Sequence, residues 1–371
     1  MKSVIDLFSG VGGLSLGAVH SGLDLVGSVE LDEIAYNTHQ INFPDMNHMR
    51  ADIANLNGKD LLKAFKQSEL YGLIGGPPCQ GFSSIGKRNV KDPRNQLFIH
   101  FFRLVNEMKP VFFLAENVKG ILDHKFSDIV DKAFNYVVED YNMLSPVELN
   151  AKDFGVPTSR ARILFVGVRK DINQCLGTTS FFNINNSLVT ILDAFEGLEY
   201  DNLFMGDSKN NNHVWITLKD IKENSYAKSI SQRSFHKVGN EQGKIRYFEK
   251  KEVTGMIGTN HSIEVLKRFG QLKPGQTDKI SRSTKLDPYG LCPTLRAGTS
   301  SSNGSFQAVR PIHPIFNRVV TPREAARIQG FPDWFLFHPT KWHSFKQIGN
   351  SVSPLMGEGI LKIINSCLEE K

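Results

Sequence analysis

The chain has 371 residues, 40% of them hydrophobic and 22% charged, which is ordinary for a soluble globular protein of about two domains. No apolar run approaches the length of a membrane span, and Asp6 stands where a signal peptide needs apolar residues. The four cysteines (Cys79, Cys175, Cys292 and Cys367) form no Cys-x-x-Cys pair. We therefore expect reduced thiols in a cytoplasmic protein, with neither a disulfide framework nor a metal site.

The positive charge is concentrated in one part of the chain. Residues 219–310 contain 17 Lys and Arg against 8 Asp and Glu, a net charge of +9, whereas the whole chain carries +6 and the remainder therefore −3. Such a concentration is expected of a nucleic-acid-binding surface. On composition alone, a lysine-rich solvated face is an equally good interpretation.

The first elements predict a nucleotide-binding βαβ unit. A short apolar strand, Ser3–Phe8, precedes the turn Ser9-Gly10-Val11-Gly12-Gly13, and a helical pattern follows from Leu14. The spacing is Gly-x-Gly-Gly rather than Gly-x-Gly-x-x-Gly, so the turn does not clearly indicate a dinucleotide pyrophosphate.

Two acids follow the next two predicted strands. Glu30 ends the strand 25–29, and Asp52 stands where a third strand should end. An acid at the end of the second strand can accept hydrogen bonds from ribose hydroxyls. Together with Phe8 and Gly10, these acids predict a cofactor that has adenine and ribose but no phosphate. Each acid taken singly is better interpreted as a solvated loop residue or a helix N-cap.

A rigidly held cysteine follows another predicted strand. The strand 71–74 leads into Gly75-Gly76-Pro77-Pro78-Cys79, where two prolines fix the backbone and remove two N–H donors. A thiol just beyond the carboxyl end of a strand lies where open α/β sheets bind their ligands. We interpret Cys79 as a nucleophile, with a buried structural cysteine as the alternative.

Three further charged residues are candidates for the same site. The polar, basic loop 80–95, with Gly81 and Gly86 as candidate hinges, leads to a helix at 96–108. The strand 111–115 then ends at Glu116, which would lie beside Cys79 if the two strands are neighbours. Arg160 and Arg162 alternate with small residues, which predicts that both face one side of a strand.

These motifs resemble the DNA (cytosine-5)-methyltransferases of bacterial restriction–modification systems. The resemblance is carried by the stretches Asp6–Gly13, Pro77–Gln80, Glu116–Val118, Arg160–Arg162, Arg323–Pro332 and Gln347–Val352, which occur in the family's order. The region from about Ser180 to Val309 lacks shared motifs, and the family carries its variable target-recognition region there. One departure is Thr158, where the family usually has Gln, so a supporting hydrogen bond is in question.

The resemblance implies an S-adenosyl-L-methionine-dependent reaction. Cytosine C5 is too weak a nucleophile to be methylated directly, so the Cys79 thiolate adds to C6 and C5 then attacks the sulfonium methyl group. Glu116 stabilises the adduct at N3, and Arg160 and Arg162 hold the base. Because C6 is inaccessible in a stacked duplex, the base must be flipped out, with the loop 80–95 as a lid. The group that removes the C5 proton is not identified.

The resemblance also implies the remaining site residues. Cofactor contacts are expected from Phe8, Gly10, Gly12, Gly13, Glu30, Asp52, Ile53, Pro78, Leu97, Asn350 and Val352. We expect DNA contacts from Gln80, Ser83, Lys87, Arg88, Arg296 and Arg310.

The expected architecture is α/β. A doubly wound, mostly parallel, Rossmann-like sheet would form the catalytic and cofactor-binding domain from residues 1–180, completed by 345–371. Residues 181–344 would form a smaller target-recognition domain, with double-stranded DNA in the cleft between them. The Gly- and Ser-rich stretch 296–305 is interpreted as a DNA-contacting loop, with a disordered linker as the alternative. We expect a monomer in the bacterial cytoplasm, paired with a cognate restriction endonuclease if one exists.

Three other functions compete with this one. An RNA (tRNA) cytosine-5 methyltransferase would use similar chemistry, but the long basic insert argues against that branch. A nicotinamide or flavin oxidoreductase would explain the first βαβ unit but not the Pro-Pro-Cys or paired-arginine motifs. A catalytically inactive DNA-binding relative is disfavoured because each reactive position is present.

Overall fold

The structure is a computed structural model. It describes residues 2–78, 81–82, 90, 92–182, 184, 187–198, 203–205, 212–233, 238–297 and 309–369. Cys79, Gln80, Ser83, Lys87 and Arg88 lie outside the described residues, as does most of the stretch 296–305.

A central sheet of eight strands organises the first half of the chain. The strands are β1 (Ser3–Leu7), β2 (Asp24–Glu30), β3 (Asn47–Arg50), β4 (Gly72–Gly75), β5 (Phe112–Asn117), β6 (Tyr141–Met143), β7 (Val147–Asn150) and β9 (Ala161–Arg169). Their order is β3-β2-β1-β4-β5-β9-β6, and β7 also pairs with β9. Strands β3, β2, β1, β4 and β5 are parallel, and β9 runs antiparallel to β5, β6 and β7. This is the predicted doubly wound, mostly parallel sheet.

The chain reverses its winding direction between β1 and β4. From β1, one half of the sheet extends through β2 to β3, and the other half extends through β4 to β5. In open α/β sheets, ligands bind outside the carboxyl ends of the strands at such a switch point. The topology therefore places the loops that follow β1 and β4, including Phe8–Gly12 and Gly76–Pro78, at the expected binding edge.

Helices cover the sheet and build the rest of the molecule. They are α1 (Gly13–His20), α2 (Glu33–Asn42), α3 (Gly58–Ala64), α4 (Gln96–Met108), α5 (Ser127–Phe134), α6 (Ile191–Phe195), α7 (Tyr226–Ser231), α8 (Glu241–Lys250), α9 (Ile263–Gly270), α10 (Pro322–Ile328), α11 (Lys341–Asn350) and α12 (Pro354–Glu369). Two small sheets pair β10 (Trp215–Thr217) with β11 (Glu252–Thr254), and β8 (Thr158–Ser159) with β12 (Cys292–Pro293).

Apolar runs in the sequence explain why the central sheet is buried. All residues of β1, β4 and β5 are buried, as expected for parallel strands covered on both faces. On one face, α4 contributes a cluster of phenylalanines, with Phe102 and Phe113 at a ring-centroid distance of 5.3 Å. On the other face, α12 packs against α1, where Gly17 lets the helices approach: a Cβ on Gly17 would lie 2.7 Å from the Glu358 nitrogen.

The C-terminal part has charged residues in its core. Arg327 donates from Nε and Nη2 to the two carboxylate oxygens of Asp333, at 2.9 and 2.7 Å, and both side chains are fully buried. The Arg327 guanidinium also donates to the carbonyls of Ala194 and Glu196 on and after α6. A buried guanidinium needs such acceptors to offset its lost hydration. Arg327 therefore fixes α6 against α10.

We expect Asp333→Asn to destabilise the protein by about 3–5 kcal/mol, because it leaves the buried Arg327 guanidinium without its counter-charge. Urea unfolding followed by circular dichroism would measure the loss. The matched control is Asp220→Asn, which breaks the exposed ion pair with Lys251 and should leave the unfolding midpoint unchanged. Equal midpoints for Asp333→Asn and the wild type would contradict this assignment.

Candidate active site

The carboxylate of Glu30 fixes the loop after β1 by accepting backbone hydrogen bonds. The Gly10 N–H donates to Glu30 Oε2 and the Asp32 N–H to Oε1, both at 2.8 Å. Phe8, Gly10 and Gly12 have positive φ angles of 59°, 55° and 98°, a conformation that costs a phenylalanine more than a glycine. A Cβ on Gly10 would meet no atom within 4 Å, so the loop presents open backbone at this point.

A hydrogen-bonded chain of polar side chains in the interior supports this loop. Ser15 Oγ donates to Asp6 Oδ2 at 2.5 Å and lies 2.9 Å from His39 Nε2. His39 Nδ1 in turn lies 3.0 Å from His48 Nε2. Burial raises the pKa of Asp6 to about 7 and lowers the pKa of His39 well below its ordinary value. Burial thus shifts both groups toward their neutral forms, and Ser15 gives each of them a polar partner in the interior.

Other predicted cofactor residues lie around the same edge. Asp52 is the N-cap of a short 3-10 helix, with its Oδ1 accepting from the Ala54 N–H at 3.0 Å, and Ile53 is buried behind it. Leu97 is partly buried near the start of α4, and Pro78 is partly buried after β4. Leu31, which the sequence interpretation did not single out, directly follows Glu30 and is 58% exposed at the same edge.

The C-terminal residues reach this edge through a close backbone contact. A Cβ on Gly13 would overlap the carbonyl oxygen of Val352. The preceding residues are fixed as well, because Gln329 Nε2 donates to the Ser351 carbonyl at 2.8 Å. Asn350 is exposed at the end of α11. The structure thus brings Gly13, Asn350 and Val352 together, although more than 300 positions separate them in the sequence.

An acid–arginine pair lies beside the turn that leads to Cys79. Arg162 Nε and Glu116 Oε1 are 2.5 Å apart, and each residue is only 9% exposed. The neighbouring Asn117 donates from Nδ2 to the Pro77 carbonyl at 3.3 Å. A Cβ on Gly76 would lie 3.4 Å from Glu116 Oε2. The Glu116–Arg162 pair therefore lies next to the Gly76–Pro78 turn, as the order of β4 and β5 predicts.

Arg160 has a different environment from Arg162. Its guanidinium donates to the carbonyls of Leu295, Gly349 and Ser351, at 3.3, 2.9 and 2.9 Å, and the residue is 2% exposed. Thr158 makes a similar link, since its Oγ1 donates to the Cys292 carbonyl at 3.1 Å. These contacts connect the start of β9 with the segment 292–297 and with the residues after α11.

The two arginines expected to contact DNA both lie against α11, but their side chains have different environments. Arg296 is exposed, and its backbone crosses α11 at Gly349, where a Cβ would lie 2.8 Å from the Arg296 carbonyl carbon. Arg310 stacks on Phe345, 4.2 Å from the ring centroid, and burial lowers its pKa. A half-buried, stacked guanidinium is less available to a base edge than an exposed one.

The ends of the predicted lid are anchored. Phe82 is fully buried and contacts the rings of Phe98 and Phe126. At the other end, Asn95 is buried and donates from Nδ2 to the Val90 carbonyl at 3.1 Å. Gly81 and Asn95 are in contact, because a Cβ on Gly81 would overlap the Asn95 amide. The two ends of the loop are therefore in contact with each other.

The chain is similar to known proteins over nearly its whole length. The family model described as C-5 cytosine-specific DNA methylase matches residues 2–366. The chain is 39% identical to the type II methyltransferase M.XorII of Xanthomonas oryzae pv. oryzae, over 99% of this chain and 85% of that protein. It is 33% identical to the type II methyltransferase M.DdeI of Desulfomicrobium norvegicum, over 98% and 88%.

Solved structures show the same fold. A crystal structure from E. coli, of a protein provisionally assigned as a DNA modification methyltransferase encoded within a prophage, matches with 46% identity and a TM-score of 0.90 over 100% of both chains. The Dnmt2 methyltransferase of S. pombe matches over 99% of both chains with a TM-score of 0.63, but at 17% identity this likeness shows the fold alone.

The sheet topology and these neighbours define the S-adenosylmethionine-dependent methyltransferase fold, which confirms the predicted fold class. The chain belongs to the C-5 cytosine-specific DNA methylase family, as its motifs predicted. It is a DNA (cytosine-5)-methyltransferase.

The described part of the chain has neither a membrane-spanning helix nor a cluster of metal-ligating side chains. None of its helices is long and apolar enough to cross a membrane. None of its His, Cys, Asp and Glu side chains form a group of three or more that could hold a metal ion.

We expect Gly13→Ala to weaken cofactor binding and to lower stability, because the new methyl group displaces the Val352 carbonyl and the backbone around it cannot yield easily. Calorimetric titration with S-adenosyl-L-methionine and urea unfolding would measure both effects. The control is Gly177→Ala, where no atom lies closer to the new Cβ than 3.7 Å. Wild-type behaviour of Gly13→Ala would show that the C-terminal residues do not need this contact.

Proposed function

We propose that this protein transfers the methyl group of S-adenosyl-L-methionine to C5 of a flipped cytosine in duplex DNA, through a covalent bond between Cys79 and C6. The observation that carries the proposal is the Glu116–Arg162 pair beside the Gly76–Pro78 turn, because that turn leads directly into Cys79. Addition of a thiolate to C6 places negative charge on the pyrimidine ring, and an acid in the same site can stabilise that charge at N3.

Each residue of this pair has a distinct task. Glu116 stabilises the adduct by hydrogen bonding or protonating N3 of the cytosine. Arg162 fixes the orientation of that carboxylate and adds a positive charge near the thiol, which favours the thiolate form of Cys79. The bond from sulfur to C6 forms as electron density moves onto C5, and it breaks again when the C5 proton leaves.

Arg160 acts as a positioning residue in this proposal. Its donors are directed at the Leu295, Gly349 and Ser351 carbonyls, whereas Arg162 meets Glu116. Arg160 therefore supports the base-binding residues by holding Asn350 and the segment 292–297 against β9. This refines the expectation that both arginines hold the base.

The residues at the switch point fit the cofactor. Glu30 can accept from ribose hydroxyls with its remaining lone pairs, since each oxygen already accepts one backbone N–H. Phe8 and Leu31 offer apolar surface for adenine, and the open backbone at Gly10 leaves room for the rest of the molecule. Gly12 and Gly13 shape the loop, and Asp52, Ile53, Pro78, Leu97, Asn350 and Val352 complete the proposed site. The bound cofactor would supply an electrophilic methyl group.

DNA binding is assigned to the basic part of the chain. We propose residues 1–180 with 345–371 as the catalytic domain and 181–344 as the target-recognition domain, with the loop 80–95 as a lid over the flipped base. Gln80, Ser83, Lys87, Arg88, Arg296 and Arg310 are the proposed DNA contacts. The type II methyltransferases among the relatives suggest a restriction–modification context, in which a cognate endonuclease would cut the unmethylated site.

We expect Cys79→Ala to abolish methyl transfer while leaving DNA binding intact, because the thiolate provides the covalent activation of C5. Duplex DNA containing 5-fluorocytosine blocks the final elimination, so the wild type should form an adduct that survives denaturing electrophoresis and the variant should not. The control is Cys175→Ala, a change at an exposed cysteine. Adduct formation by Cys79→Ala would rule out this nucleophile.

We expect Glu30→Ala to weaken S-adenosyl-L-methionine binding by about 1–3 kcal/mol, since hydrogen bonds to a carboxylate are lost and the Gly10 loop loses its anchor. Isothermal titration calorimetry would measure the change. Glu33→Ala is the matched control, because this nearby acid is exposed and pairs with Arg50 instead. If both variants bind equally well, Glu30 is not part of the cofactor site.

A further inference from the structure

An unusually well-anchored turn lies in the basic part of the chain. Thr277 and Thr284 form an antiparallel bridge, with their hydroxyls 2.9 Å apart. Within the turn, the Asp278 N–H donates to the Ser283 carbonyl at 2.8 Å, and the Arg282 N–H donates to the Asp278 carbonyl at 2.9 Å. Arg282 has a φ of 60°, a left-handed conformation that a non-glycine residue adopts only where the surrounding structure enforces it.

A buried carboxylate fixes the turn from inside. Asp278 is 1% exposed, and its Oδ1 accepts from Arg268 Nε of α9 at 2.6 Å. Its Oδ2 accepts from the Ser281 N–H at 2.7 Å. The base of the turn is also tied to a later part of the chain, because the Ile312 N–H donates to the Thr284 carbonyl at 2.8 Å. The 277–284 turn is therefore fixed in position relative to α9.

The tip of this turn presents an apolar side chain between two cations. Ile280 is 73% exposed, and Lys279 and Arg282 on either side of it are exposed. Among the described residues, no carboxylate pairs with either cation. Residues 265–286 carry six Lys and Arg against one Asp, a net charge of +5, and that Asp already neutralises Arg268.

The charge and the rigidity of the 277–284 turn together indicate which molecule it binds. Unpaired cations on an exposed tip attract a polyanion, and the backbone of duplex DNA is the polyanion that this enzyme meets. Phosphate contacts orient a protein on the duplex, whereas contacts with base edges, made by side chains held in a fixed position, carry the sequence specificity. A single exposed isoleucine has no meaning by itself. At the end of a rigid cationic turn, it is placed for an apolar contact with a base edge, such as a thymine methyl group.

We propose that the 277–284 turn enters a groove of the target DNA, with Lys279 and Arg282 on phosphates and Ile280 against a base. The proposal rests on the DNA-methylating function proposed above and assigns part of its sequence specificity to one residue. Asp278 is the positioning residue of the turn.

The first test separates affinity from specificity. The methylated site is mapped by bisulfite sequencing, and methylation rates are then measured on duplexes in which each base pair of the site is replaced in turn. Ile280→Ala should lower discrimination about tenfold or more at one or two adjacent positions and leave the others unchanged. Ile263→Ala, at a 67% exposed residue of α9 next to Glu264, is the control and should discriminate as the wild type does.

The second test concerns the cations. Lys279→Gln and Arg282→Gln should each weaken binding to all duplexes alike, and each should reduce the slope of log K against log salt by about one. Lys59→Gln, an exposed lysine on α3, should leave the slope unchanged.

The outcomes distinguish a failure of this proposal from a failure of the proposed methyl-transfer function. Wild-type discrimination by Ile280→Ala at each position overturns the base contact, even if the two cations prove necessary. Unchanged salt slopes for both cation variants overturn the groove placement. In either case a wild type that still methylates cytosine leaves the proposed function standing, whereas a wild type without methyl transfer defeats that function instead.

Discussion

The buried guanidinium of Arg160 is the interaction on which the arrangement of the site depends. A fully desolvated cation is costly unless its donors are satisfied, and here the acceptors are carbonyls from Leu295, Gly349 and Ser351. These acceptors belong to two segments that are distant in the sequence. The strand β9 cannot bury Arg160 unless both segments dock against it. One side chain thus couples the central sheet, the segment 292–297 and the C-terminal residues.

This coupling explains how residues from the two ends of the chain form one edge of the proposed site. The segment held by Arg160 continues to Val352, whose carbonyl lies against Gly13. Gly13 begins α1, directly after the loop that Glu30 anchors. On the other side, β9 carries Arg162 to Glu116, next to the turn that precedes Cys79. The proposed cofactor and base sites are therefore parts of a single contact network, in which backbone carbonyls and N–H groups make most of the connections.

The environment of each charged group in this protein depends on whether the group is buried. Fully buried ions are paired or surrounded by acceptors, as for Arg327 with Asp333 and for Glu324 with Arg318. Asp6 and His39, which are linked through Ser15 in the interior, have pKa values shifted toward their neutral forms. The cations at the tip of the 277–284 turn are neither buried nor paired with a described acid. The protein thus keeps charge unneutralised on a surface where a polyanion can approach, which is consistent with a DNA-modifying enzyme.

The sequence by itself determined the local elements and the family. Apolar runs bounded by glycine and proline predicted β1, β4 and α4 almost to the residue, because burial on both faces and the φ restriction of proline act locally. The motifs predicted the C-5 cytosine-specific methylase family, and the family model confirms it. Only the tertiary structure separated Arg160 from Arg162. Alternation along the chain gives both the same direction, whereas their roles depend on which distant carbonyls and carboxylates lie within hydrogen-bond reach. The same holds for Leu31, Gly13 and the 277–284 turn, whose exposure, close contacts and anchoring arise from segments that no local pattern connects.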